Sequence, residues 1–289
     1  MHLLWLSQRE CQEVGLVGGK VASLSRLAAE YRVPPGFCVP ITALERWSDG
    51  DGADVPHESV RHALIHAYAL LAQHCGTEDP RVAVRSSAVD EDGHLASFAG
   101  QYETYLNVSG IHAVLDAVGR CRASALSERV LDYRRMNGLP TDGPRLAVLV
   151  QQLVPSDVSA VIFTANPVSL DRGAIVINAS WGLGESVVGG TVTPDTIVIR
   201  KSDFAIESYV IGDKRRMTVS VPGGTEEVDV PSFLRGRAAL DETQLREMAA
   251  LAVSLEAHHK FPVDIECAYH AGTLYLLQCR PITTLAART

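Results

Sequence analysis

From about residue 145 onward the chain is cut into apolar runs too short for anything but strands. LAVLVQQLV, AVIFTA, GAIVINASW, TIVIRK and SYVIGD follow one another, parted by Gly, Pro and Asp. Before that point the texture is different. Apolar residues recur three and four apart in 21–30, in HESVRHALIHAYALLAQHC (57–75) and again through 110–135, the spacing of helices with one buried face. Val33-Pro-Pro-Gly36 ends the first of these, because two prolines and a glycine cannot continue a helix. A further helix is expected over 241–259, just ahead of a terminal hairpin. The pattern predicts an α+β chain of two lobes, residues 1–148 and 149–289, parted at the polar TDGPR stretch. Val221-Pro-Gly-Gly-Thr-Glu-Glu227 is expected as a mobile loop.

Composition narrows the partners. Lys+Arg 26 against Asp+Glu 34 leaves a net charge of −8, which speaks against a nucleic-acid partner, since the phosphate backbone is bound through a basic face. The longest apolar runs are strand-sized, well short of the ~20 residues that cross a bilayer, so no membrane association is expected. The start, MHLLWLSQRE, has neither a basic leader nor a long apolar stretch. Six scattered cysteines make no CxxC pair and no zinc spacing, as reduced thiols of a cytoplasmic protein would. GxSxG, HExxH and GxGxxG after a strand are all missing.

Two motifs in the first lobe suit an anion. Gly18-Gly19-Lys20, at the end of a loop expected over 15–20, precedes a helix: glycines let the backbone come close, the helix start offers N–H groups, and lysine adds a point charge. It is not a Walker A loop, because Val14 and Val21 stand where that pattern needs Gly and Ser or Thr. Val84-Arg85-Ser86-Ser87 sets a guanidinium and two hydroxyls at a strand end, followed by Asp90-Glu91-Asp92 and Ser97-Phe98-Ala99-Gly100-Gln101. Each alone also reads as a turn or a solvated strand end. Trp181-Gly-Leu-Gly-Glu185 and Phe163-Thr-Ala-Asn-Pro167 are equally open between turn and site loop.

The terminal hairpin is more specific. Asp264 and Glu266 share one face of a strand, and Gln278 and Arg280 share one face of the next. A three-residue turn at Ala271-Gly272-Thr273 sets Glu266 opposite Gln278 and Asp264 opposite Arg280, with Val263, Ile265, Cys267, Leu277 and Cys279 on the other, buried face. Carboxylate and amide oxygens are the hard donors that Mg²⁺ prefers, and an adjacent Arg can hold the phosphates a metal bridges. A plain ion pair between Asp264 and Arg280 is the alternative for that pair.

In order along the chain, VGGKVASLSRL, VPPGF, VAVRSSAVDED, SFAGQYETYLNV, VLVQQLVPSDVSAVIFTANP, INASWGLGESVVGG, TPD and PVDIECAYHAGTLYLLQCRPITTL together resemble the ATP-binding region shared by phosphoenolpyruvate synthase, pyruvate phosphate dikinase and rifampicin phosphotransferase. The resemblance runs from about Gly15 to Leu285. It implies an ATP-grasp fold whose two lobes clamp ATP. By motif, Lys20 and Arg85 would contact phosphates, and Gly100, Gln101 and Thr104 would lie in the loop covering them. Gln151, Gln152, Leu153 and Val154 would form the hinge against adenine, and Glu185 would lie near the ribose. Glu266, Gln278 and Asp264 would form the Mg²⁺ site, with Arg280 on the phosphates.

The family's region cleaves ATP to AMP by passing terminal phosphates to a histidine on a separate swivelling domain, and from there to a small-molecule acceptor such as pyruvate or rifampicin. No TSHAA-like motif occurs in this sequence. The resemblance implies a phosphohistidine domain encoded separately or, if this chain is an excised domain, elsewhere in a longer enzyme, with direct phosphorylation of a small molecule, or a nucleotide-responsive module without transfer, as alternatives. Three departures stand out: only 48 positions separate Phe37 from Arg85, Ala160 replaces a usual glycine, and Cys267 follows Glu266 where tryptophan is common.

Overall fold

The computed structural model describes residues 2–47, 56–90, 103–136, 138 and 145–282. The chain divides into two compact units, one of residues 1–153 with 222–224, the other of 154–221 with 225–289. The division falls after Leu153; the strand that crosses 148–149 runs on to Gln152.

The first unit is built on five strands, β1 (Leu4–Trp5), β2 (Gly36–Val39), β3 (Val82–Ala88), β4 (Thr104–Val108) and β5 (Leu146–Gln152), in the order β1-β2-β5-β3-β4 and antiparallel throughout. Cross-strand partners lie on one face, so Phe37, Val84 and Val150 project together into the core. Two helices supply the other half of that core. α3 (Glu58–Cys75) contributes Leu64, Ala67, Tyr68 and Leu71, and α4 (Ile111–Ser124) contributes Val114, Ala117, Val118 and Cys121. The helical pattern expected through 110–135 is in fact two helices. Ser124–Ser127 turns, and α5 (Glu128–Met136) follows. α3 ends where Gly76 takes a left-handed conformation, φ +66°, which costs a residue without Cβ little.

The loop expected over 15–20 is also helical. α1 (Val14–Leu27) runs through it with a break at Gly18, whose φ of +76° lies outside the helical range. α1 packs on the sheet face opposite α3 and α4, against β3 and β5. A short helix, α2 (Ile41–Leu44), follows β2.

The second unit carries β6 (Val158–Phe163), β7 (Ala174–Trp181), β8 (Asp195–Arg200), β9 (Ile206–Val210), β12 (Val263–His270) and β13 (Thr273–Pro281) in the order β13-β12-β6-β7-β8-β9, again antiparallel. Ile162, Ile177, Ile197 and Ile265 share one face and are wholly buried. α8 (Glu242–His259) covers that side, with Tyr269 Oη donating to Gln244 O (3.3 Å) and Glu247 Oε2 (2.5 Å). Its first turn is closed by a capping box: Asp241 accepts from Gln244 N–H (2.8 Å) and Gln244 accepts from Asp241 N–H (2.9 Å).

Two short helices, α6 (Glu185–Val188) and α7 (Ser232–Arg235), and a separate hairpin, β10 (Arg216–Val221) with β11 (Gly224–Asp229), complete the unit. Residues 221–227 are therefore not a loop. They end one strand, turn at Pro222-Gly223 with Gly223 at φ +85°, and begin the next. All six cysteines are free, five of them buried.

Candidate functional site

In the first unit the glycine motif and the Val-Arg-Ser-Ser motif meet. A Cβ on Gly18 would stand 2.3 Å from Ser87 O, so only glycine lets α1 come this close to β3. The break frees the backbone of the second half-helix, and Ser87 Oγ accepts from Val21 N–H at 3.2 Å, capping it from another strand. Lys20 therefore sits in the first turn of a helix held against the strand that carries Arg85. Arg85 pairs across the ladder with Thr104, and Ser86 Oγ donates to Glu103 O at 3.0 Å, fixing the start of β4. Thr104 and Arg85 thus share a face, as directly paired residues must. Gln151 is on that face too, opposite Ala83. Gly100 and Gln101 lie outside the described residues.

The 151–154 stretch is already partly committed. Gln151 Nε2 donates to Pro34 O (3.0 Å), Gln152 N–H to Pro35 O (2.9 Å) and Leu153 N–H to Arg81 O (2.9 Å). Burial on α4 pushes the Cys121 thiol up to about 12, with Glu103 adding to the rise and Arg120 and Lys20 opposing it.

In the second unit the hairpin places all four expected residues on one face, Glu266 opposite Gln278 and Asp264 opposite Arg280. The route to that register differs from the expected one. The turn has two residues, Ala271 and Gly272, both at positive φ (+48° and +74°), and the ladder closes at His270–Thr273. Two such residues give the turn whose twist matches the strands. The missing count returns at a bulge: the register shifts between Glu266 and Cys267, which leaves Leu277 between the paired Leu276 and Gln278. Leu276 therefore takes the buried place expected for Leu277, which is only partly covered.

Arg280 Nε and Nη2 both reach Asp264 Oδ2, at 2.8 and 2.7 Å, in the ion pair anticipated as the alternative for these two. Glu266 continues across the sheet to Val161, Asn178 and Thr196 on the same face, with Thr196 Oγ1 donating to Asn178 Oδ1 (3.0 Å). These residues are only partly covered, in contrast to the isoleucine face behind them. Glu266 and Gln278 offer hard oxygens side by side. No group of three or more His, Cys, Asp or Glu able to hold a metal occurs among the described residues. Two protein donors fit Mg²⁺ that arrives with a nucleotide, since the ion keeps waters and phosphate oxygens as its other ligands.

Glu185 opens α6 at one end of this face. The turn before it is fixed from two sides: Ser159 Oγ donates to Gly182 O (2.7 Å), and Leu183 N–H donates to Thr218 O on β10 (2.9 Å). The Glu185 carboxylate accepts from Thr225 Oγ1 at 2.8 Å. Asn166 spends its side chain within its own turn, accepting from the N–H groups of Val168 and Ser169, so Phe163–Pro167 is a strand-ending turn.

Sequence reasoning passed over Thr225, Asn178 and a fully buried pair. Asp195, quoted only as part of TPD, forms an ion pair with Lys214, both at 0% exposure. Its carboxylate also accepts from the N–H groups of Gly212 (2.9 Å) and Ala239 (2.7 Å). The lysine lies nineteen positions away, and nothing local marks it as buried.

Lys20 on α1 and Arg85 on β3 belong to the first unit, Glu266 and Gln278 on the hairpin to the second. Residues 52–289 match the family described as pyruvate phosphate dikinase, AMP/ATP-binding domain, and the chain belongs to that family. With it goes the ATP-grasp class expected from the motifs. The chain is 36% identical to a probable phosphoenolpyruvate synthase of Methanocaldococcus jannaschii over 98% of its length, and 36% identical to the phosphoenolpyruvate synthase of Pyrococcus furiosus over 97%. It is 37% identical to the uncharacterized phosphotransferase YvkC of Bacillus subtilis over 93%. It spans 27%, 44% and 34% of those proteins, respectively.

Among solved structures it is similar to Cdc123 of Schizosaccharomyces pombe (TM-score 0.39, 10% identity, 90% of this chain and 81% of that one) and to D-alanyl-alanine synthetase A of Vibrio cholerae (0.36, 14%, 92% and 59%). Those scores are too low to add to the family assignment. No helix among the described residues is long and apolar enough to cross a membrane.

Proposed function

We propose that this chain binds MgATP and serves as the nucleotide-cleaving part of a dikinase, passing terminal phosphates of ATP to a histidine on a separate swivelling domain and leaving AMP. Of the two phosphates moved, one would be released to water as orthophosphate and the other passed on to a small-molecule acceptor. The carrying observation is the hairpin register, which sets Glu266 opposite Gln278 with the Asp264–Arg280 pair beside them on one face, Glu266 and Arg280 partly covered and Gln278 and Asp264 buried.

Bound Mg²⁺ supplies charge neutralisation between phosphate oxygens. Glu266 and Gln278 are the residues that would hold it. Asp264, the third residue of the expected Mg²⁺ set, has Oδ2 engaged by Arg280, so it also orients that guanidinium toward phosphate. Lys20 and Arg85 supply further positive charge, with Thr104 and the Gly100-Gln101 segment covering the phosphates. In the 151–154 stretch the N–H groups of Gln152 and Leu153 are spent, so the donor offered to an adenine edge is Val154 N–H. Glu185 accepts from the ribose. Phosphoryl transfer needs little covalent help, and these groups act by position and charge. A net charge of −8 supports a protein that does not bind nucleic acid, and six free cysteines are in keeping with a cytoplasmic one.

Labelled ATP tests the reading directly. Mixed with Mg²⁺ and a separately produced phosphohistidine domain, the chain should move label from the β and γ positions to that domain's histidine and release AMP. AMP formed without any partner domain points to direct transfer instead. MgATP binding with no AMP under either condition contradicts a catalytic role.

A further inference from the structure

The segment that carries Glu185 is held from outside the six-stranded sheet. Gly182 has φ +78°, and a Cβ there would stand 2.4 Å from Thr218 O, so β10 lies directly against the turn before α6. Leu183 N–H donates to the same Thr218 carbonyl at 2.9 Å. One strand further on, Thr225 Oγ1 reaches Glu185 Oε2 at 2.8 Å, forty positions away in sequence. The root of this hairpin is anchored by the buried Asp195–Lys214 pair, with Lys214 Nζ also donating to Gly212 O at 3.1 Å.

An exposed glutamate with three side-chain torsions has no preferred direction unless something holds it. The Thr225 hydroxyl does so while using one of two carboxylate oxygens. A carboxylate is an acceptor only, so the other oxygen suits a ligand that donates, such as a sugar hydroxyl.

We propose that Thr225 is a positioning residue: it aims the Glu185 carboxylate so that the ribose hydroxyls of a bound nucleotide become a determinant of specificity, and the site selects ribonucleoside over deoxyribonucleoside triphosphates. The proposal rests on the reading of Glu185 as the ribose contact. Fixing the carboxylate before the ligand arrives removes ordering cost from binding, and a hydroxyl that it is set to receive is missed when absent.

Affinities of the full chain for ATP, 2′-deoxy-ATP and 3′-deoxy-ATP in the presence of Mg²⁺ test both levels separately. The wild-type chain should prefer ATP over at least one deoxy analogue, and E185A should lose that preference. T225V should lower the preference about fivefold or more, and T225S should restore it to within about twofold, because serine keeps the donor. Thr225 is only partly covered, and T225A gives the same readout should valine disturb the strand. If E185A loses the preference while T225V and T225A keep it, or weaken all three nucleotides equally, Thr225 is merely structural and the proposal fails. If E185A itself keeps the preference, or the wild type shows none, the ribose reading of Glu185 fails and takes the proposal with it.

Discussion

Glu266 stands directly opposite Gln278, and it does so across a hairpin whose ladder slips by one residue immediately beyond that pair. A two-residue turn followed by one bulged residue spans the same length of chain as a three-residue turn. The face that carries the oxygen donors is therefore preserved by two features that offset each other.

Deleting Leu277 should remove the bulge and leave Glu266 opposite Gln278, because the two-residue turn then continues into a regular ladder. Leu276 and Leu277 are adjacent, so removing either gives the same chain. MgATP affinity, read by calorimetry, should stay within about threefold of wild type. A loss beyond about tenfold would mean that the bulge itself shapes the site.

The Asp195–Lys214 pair predicts a large stability effect from either partner alone. K214M leaves a carboxylate buried without its cation and should cost about 3–5 kcal/mol in denaturant unfolding. The double variant D195L/K214M should cost clearly less than K214M. Equal losses in the single and double variants would show that the hydrogen bonds from Gly212 and Ala239, rather than the charge, carry the effect.

Two of the departures from the family pattern turn out to be neighbours. Ala160 and Cys267 are cross-strand partners, both buried, and Cys267 Sγ lies 3.7 Å from Ala160 O. A larger residue opposite glycine has been exchanged for a smaller one opposite alanine, and the alanine methyl fills a small part of the space that the missing ring leaves. C267W alone should overpack this layer and cost about 1–3 kcal/mol. Combined with A160G it should recover about 1 kcal/mol relative to the sum of the single changes. Additive losses would remove the explanation.

Gly18 and Ser87 together place Lys20. G18A puts a Cβ into the Ser87 carbonyl at a backbone conformation alanine disfavours, and should weaken MgATP binding at least about tenfold by moving the half-helix that carries Lys20. S87A removes only the cap at Val21 and should cost about 1 kcal/mol of stability. G18A binding as wild type does would separate Lys20 from the phosphates.

The helices of 58–75 and 242–259 and the strands after 145 were legible because their periodicity reports which face is buried, and burial is what sets the fold. The hairpin pairing was legible for a weaker reason, since the wrong turn length and the unseen bulge offset each other. What remained hidden depends on contacts between distant segments. The helical run through 15–20 tolerates Gly18 only because Ser87 arrives from β3 to cap what the break exposes. Residues 221–227 look like a loop in composition, yet pair as strands once Thr218 and Thr225 meet the turn that carries Glu185. A lysine at 0% exposure contradicts its usual place at the surface, and only the partner carboxylate makes it tolerable.

A crystal structure of the chain with Mg²⁺ and a non-hydrolysable ATP analogue tests the central proposal most directly. Oxygens of Glu266 and Gln278 should lie about 2.1 Å from the metal, with Lys20, Arg85 and Arg280 on the phosphates. A nucleotide seated elsewhere, or a metal bound without either of those two side chains, would contradict it.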